Sequence, residues 1–264
     1  MNIRNFLKFT IALPLIATTA LCFAAEPLEL LQPGKLLVAT EGTYPPFSMR
    51  SADGKLDGLE IRVMKEVAKR LNLEYTPILL KWDSLLIGLQ ANQYDVISSA
   101  MDITAERQKS ILFSDGWLES GARVVTRASS PIKSAADLKG KAVGALFSST
   151  FTKIAQDAGA IVKPYKSETD AMQDLINENV DAVITDSISA SYLMKSVKLP
   201  ITMTPDFVSR IQKGFALKMD KRNLVAAINK ALADMNADGT YAKLTTDLVG
   251  YDPAPQSPIR TLPR

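Results

Sequence analysis

Histidine is absent from this 264-residue sequence, and cysteine occurs once, at position 22. With a single thiol there is no intrachain disulfide, and with no imidazole there is no Ser-His or Cys-His nucleophile pair. Zinc sites built on thiolate or imidazole are excluded by the same shortage. Charge of either sign is scarce in excess. The formal net charge is +3 without a basic run, which argues against nucleic acid as a partner. These absences remove most catalytic chemistry and point towards binding.

The first 25 residues stand apart. Arg4 and Lys8 precede an almost wholly apolar stretch, Phe9 to Phe23, and small residues follow at Ala24 and Ala25. This is the pattern of a secretory signal peptide, 1–24, too short in its apolar core for a firm membrane span. Cleavage after Ala24 is expected, with a retained anchor as the weaker alternative. Leu21 is not small, which disfavours lipid attachment at Cys22. The mature chain would have no cysteine, near-balanced charge and a periplasmic location.

Downstream, elements alternate. Lys35–Thr40 reads as a strand, and Asp53-Gly54 as a hairpin turn. Leu59, Val63, Val67 and Leu71 recur at i+4 on a helix. Strands are expected at 73–79, 95–98, 121–126, 141–145, 162–165, 181–185 and 215–219. Helices are expected at 82–91, 134–138, 149–158, 169–178, 187–195, 223–235 and from 238 to about 248. The fold class is α/β, in two comparable sets that suggest two lobes rather than one barrel. The tail from Tyr251, with Pro253, Pro255, Pro258 and Pro263, is expected to have no fixed fold.

Between Gln93 and Arg107 a buried strand gives way to a polar turn carrying Asp102 and then Arg107. Strand C-terminal ends are where open α/β sheets bind ligands. A planar, five-donor guanidinium there suits bidentate capture of a carboxylate. No nucleophile–base pair accompanies it.

Several segments together resemble a known family, the periplasmic amino-acid-binding proteins of ABC importers (family 3 of the bacterial extracellular solute-binding proteins). They include Thr40-Glu-Gly-Thr-Tyr-Pro-Pro-Phe47, Asp53-Gly-Lys-Leu-Asp-Gly58, Trp82-Asp-Ser-Leu85 and Met101-Asp-Ile-Thr-Ala-Glu-Arg107. Asp137-Leu-Lys-Gly-Lys-Ala-Val-Gly144, Val180-Asp-Ala-Val183 and Asp238-Gly-Thr-Tyr241 continue the series. The resemblance implies the two-lobed type II binding-protein fold, each lobe a mostly parallel sheet flanked by helices, joined by two crossover strands. Lobe 1 would be discontinuous, 26–120 plus 213–250, and lobe 2 would span 121–212. Ligand contacts from both lobes would favour closure.

Carried over residue by residue, Arg107 resembles the clamp on a ligand α-carboxylate, and Thr150 its partner from lobe 2. Thr150 opens a helix, where free N–H groups favour an anion. Capping by the Ser148-Ser149-Thr150 run is the structural alternative. Asp186 resembles the acid that pairs with an α-ammonium, or else caps the next helix. Asp102 stands where many relatives carry Ser or Thr. Tyr44 and Trp82 match aromatics that sandwich the ligand side chain, and both are good faces for a cation. Glu41 matches the place of an acid facing a distal cation. Ser99 and the Ala100 carbonyl join the expected ligand-binding set, and Phe151 departs from a commonly polar position.

The function implied is a periplasmic, non-enzymatic receptor, expected to be monomeric and free of cofactor and metal. It would bind a polar amino acid and deliver it to a membrane permease. Glu41, Asp102 and the aromatics favour a basic ligand such as arginine, lysine or ornithine; cystine, glutamine or a derivative are alternatives. A different class, a secreted cyclohexadienyl dehydratase on the same scaffold, is the competing reading. A sensor domain fits less well, since no kinase segment follows Leu248.

Overall fold

A computed structural model of the chain describes residues 27–262. The expected signal peptide, with Cys22, lies outside the described residues. The rest forms two lobes, each built on one sheet with helices on both faces.

In the first sheet Lys35–Thr40 is central. Five of its six residues are buried, as expected for a strand covered on both sides. Successive side chains face opposite ways. Leu36 and Val38 pack beneath the helices Leu59–Arg70 and Arg222–Ala237, whereas Leu37 and Ala39 meet Leu85 and Leu89 of Trp82–Gln90. Glu74–Leu79 and Val96–Ile97 flank this strand in parallel. Ala216–Leu217 then enters antiparallel and pairs with Leu112–Phe113.

The second sheet runs Ile201–Met203, Leu118–Arg127, Ala182–Asp186, Ala142–Leu146, Ile161–Tyr165. Phe151 and Ala155 of helix Thr150–Asp157 cover one face. Glu168–Ile176 and Ser187–Lys195 cover the other. Both sheets are mixed rather than mostly parallel. The cause is that Leu118–Arg127 pairs antiparallel with each of its neighbours, and Ala216–Leu217 re-enters the first sheet against the grain.

Two antiparallel strands cross between the lobes. Leu118–Arg127 leaves the first lobe and Ser209–Lys213 returns, with Arg210 opposite Gly121 and Lys213 opposite Leu118. A Cβ at position 121 would lie 2.1 Å from the Ser209 carbonyl oxygen, so glycine is what lets the crossing strands approach. Ser209–Lys213 and Ile201–Met203 escape the sequence reading. The first is polar at four of five positions and the second only three residues long, so neither shows a period.

The tail corrects an expectation. It has no regular secondary structure, yet it is docked on the crossing strands. Gly116 and Glu119 donate their amides to the carbonyls of Ile259 and Pro253, both at 3.0 Å. Gln212 accepts from the Ile259 amide at 2.7 Å and donates to the Ser257 carbonyl at 3.0 Å. Arg260 pairs with Asp115, and Pro253 and Pro255 are buried. Proline presets an extended path and brings no amide that must be satisfied, which suits it to lie across another backbone.

Candidate functional site

The site begins at the end of strand Val96–Ile97. Ala100 has φ 40°, in the left-handed region that a β-carbon disfavours. Its amide donates to Glu60 Oε2 at 2.6 Å, and Glu60 Oε1 accepts from Thr40 Oγ1 at 2.8 Å. Glu60 is fully buried on the helix beneath, and burial raises its pKa to about 8. This protonatable peg holds the turn from which Asp102 and Arg107 project.

Arg107 opens a short 3₁₀ turn, its amide donating to Thr104 Oγ1 at 3.2 Å. The guanidinium donates from Nη1 to the Asp102 carbonyl at 3.0 Å and lies 5.5 Å from the Trp82 ring centroid. Burial works against its charge, and Asp102 partly offsets that.

The second lobe meets this turn directly. Ser149 caps helix Thr150–Asp157 through the Thr152 amide, which leaves the Thr150 hydroxyl free to donate to Asp102 Oδ2. Trp82 Nε1 donates to the Phe147 carbonyl at 3.0 Å, and Ser189 Oγ donates to the Pro45 carbonyl at 2.5 Å. The Tyr44 and Thr185 hydroxyls lie 3.4 Å apart. The lobes therefore touch across the cleft.

Eight of the ten sequence-selected residues line one cavity there: Tyr44, Trp82, Ser99, Ala100, Asp102, Arg107, Thr150 and Phe151. Leu146 and Ser149 complete it. Its volume of about 20 Å³ is water-sized, so entry of a larger solute requires the lobes to part. The larger open grooves, about 540 and 500 Å³, follow the tail and are lined by none of the ten sequence-selected residues.

Glu41 and Asp186 do not line this cavity. Glu41 is buried and accepts from Ser99 Oγ at 2.7 Å; burial, opposed by that bond, raises its pKa to about 7. Asp186 is fully buried. Its Oδ1 accepts from the Ile188 amide at 2.9 Å, a helix cap, and its Oδ2 accepts from Ser120 Oγ at 2.6 Å. The remaining partner is one the sequence reading missed. Lys213, only 1% exposed, places its ammonium 3.0 Å from Asp186 Oδ2 and in direct contact with Asp102 Oδ1. Burial opposes this charge, but the two carboxylates outweigh it and hold the pKa above its ordinary value. Glu168, also missed, is buried behind Tyr44, bonded to Thr185 and Ser189, and burial raises it to about 8.

Nothing local marked Lys213. It lies in a polar strand, and its partners are remote in sequence. Among the described residues no three His, Cys, Asp or Glu side chains gather as metal ligands, and no helix is long and apolar enough to cross a membrane.

Comparison with known proteins adds the family. The chain is 34% identical to the L-cystine-binding protein TcyJ of Escherichia coli, over 94% of this chain and 96% of that one. It is 32% identical to the histidine-binding periplasmic protein of Salmonella typhimurium, over 83% and 89% respectively. An ancestral arginine-binding protein bound to glutamine superposes with a TM-score of 0.78 at 35% identity, covering 83% of this chain and 99% of that structure. These relatives are binding proteins, and nothing favours the dehydratase reading. Residues 36–250 match the model for bacterial extracellular solute-binding proteins, family 3, and the chain belongs to that family.

Proposed function

We propose that this chain is the periplasmic receptor subunit of an ABC importer, secreted through a cleaved signal peptide. It takes a polar amino acid into the interlobe cleft and presents it to a membrane permease. The moving bodies are residues 26–120 with 213–250, and residues 121–212. One observation carries the reading: Arg107 from one lobe and Thr150 from the other converge on a single aromatic-walled cavity. A carboxylate placed there meets a guanidinium on one side and a helix N-terminus on the other. Trp82 and Tyr44 then flank the ligand side chain. Glu41, behind Ser99, supplies a carboxylate for a basic ligand once it ionises.

A melting screen of the mature protein against the amino acids, with cystine included, tests this, because a ligand held only by the folded form raises the midpoint. Calorimetry on Arg107→Ala should then show affinity falling by about 100-fold or more, as expected when a desolvated carboxylate loses its charged partner. Unchanged affinity in that variant would reject the site.

A further inference from the structure

Lys213 stands where the two lobes meet. It ends the crossing strand Ser209–Lys213, and its backbone bridges antiparallel to Asp102. Asp102 belongs to the turn that follows strand Val96–Ile97 of the first sheet, whereas Asp186 ends strand Ala182–Asp186 of the second. The lysine ammonium touches both carboxylates, so one cation of the protein is shared between acids carried by opposite lobes. All three side chains are buried, which leaves little solvent to screen their charges. The other titratable groups that face them are Arg107, Tyr44, Glu168 and Tyr251, with Glu41 one remove further, behind Ser99. Burial raises the pKa of both tyrosines and of Glu168, the last to about 8. Arg107 answers to a ligand carboxylate. Two carboxylates against one ammonium therefore leave a single negative charge beside the cavity, and a ligand α-ammonium is its complement.

We propose that Lys213 is a positioning residue for the ligand amine: it supplies one of the two cations that a pair of carboxylates from opposite lobes requires, so that a single α-ammonium completes the set. The inference rests on the cleft being an amino-acid receptor site and assigns the charge count within it. Lys213 does not line the cavity, so it acts through Asp102, which does, and Asp186. With the lysine in place, closure on a zwitterion sets two cations against two carboxylates, and Arg107 against the ligand carboxylate. Without it, closure drives two carboxylates together around one ammonium, and one of them must take up a proton. With Lys213 present but Asp102 neutralised, two ammonium groups compete for Asp186, and one is left buried without a partner. Neutralising both Lys213 and Asp102 returns one cation to one anion.

Calorimetry with L-glutamine, L-arginine and L-cystine tests this on the wild type, Lys213→Met, Asp102→Asn and the double variant. Affinities are compared as the ratio of variant to wild type at about pH 5.5 and about pH 7.5, so that the titration of Glu41, common to all four proteins, cancels. For each probe that the wild type binds, Lys213→Met should lose about tenfold more at the higher pH than at the lower, because its closed form must hold an extra proton. Asp102→Asn should bind about 100-fold more weakly than the wild type. Adding Lys213→Met to Asp102→Asn should then recover affinity to within about tenfold of the wild type, a recovery that does not need the Lys213→Met single variant to fold. Losses that add in the double variant, with no recovery, would overturn the proposal and leave the amino-acid receptor standing. So would a Lys213→Met loss that is equal at both pH values. Binding of none of the probes by the wild type would overturn both.

Discussion

Glu41 shows how far one side chain's role depends on its surroundings. Its carboxyl titrates near pH 7 because burial outweighs the Ser99 hydrogen bond. A basic ligand facing it must displace a proton below that pH but not above it. Affinity for such a ligand should therefore rise by roughly tenfold between pH 6 and pH 8. Glu41→Gln should abolish the rise and leave neutral ligands unaffected; a pH profile identical in the two proteins removes Glu41 from the site. That Arg107 and Thr150 line one cavity could be expected from the sequence, because each follows a strand and a polar turn and opens a helical turn. The place of Lys213 could not, since its meaning comes from two carboxylates brought to it only by tertiary structure.

At the scale of the element, helix Leu59–Arg70 illustrates the same division. Its apolar period announced the face that packs on the sheet, and Leu59, Val63 and Val67 are indeed buried. Glu60, adjacent to that face, would be read as a solvated charge, yet it is sealed under Ala100. Its pKa of about 8, against an ordinary 4.5, means the folded chain keeps a proton that the unfolded chain releases. Glu168 behaves alike. The stability these groups supply is complete below about pH 4.5 and declines as pH rises through 8. The melting temperature should thus be lower at pH 8.5 than at pH 5, by roughly 5 °C or more. Glu60→Gln should shrink that gap; an unaltered gap would place the titration elsewhere. The crossing strand Ser209–Lys213 was hidden for a related reason: what pairs it is backbone, and its side chains are mostly polar.

For the whole molecule, the two-lobed α/β plan could be read from alternation of elements, but the course of the C-terminal tail could not. Proline-rich composition is shared by free chains and by segments laid across a surface, and only the partners distinguish them. Here the partners are Gly116, Glu119 and Gln212, close to or on the strands that join the halves. Removing residues 251–264 should lower the melting temperature by about 5–10 °C, given several hydrogen bonds of about 1 kcal/mol each. Small-angle scattering of the ligand-free protein should show a larger radius of gyration after the truncation. Identical melting and scattering would leave the tail without mechanical consequence.

That fastening bears on transport itself. A clasp anchored to both connecting ribbons near the pivot resists any bend that would slide one ribbon past the other. The resting spread of the jaws, and with it the speed at which cargo is trapped or let go, should then depend on a segment that lines no part of the cavity.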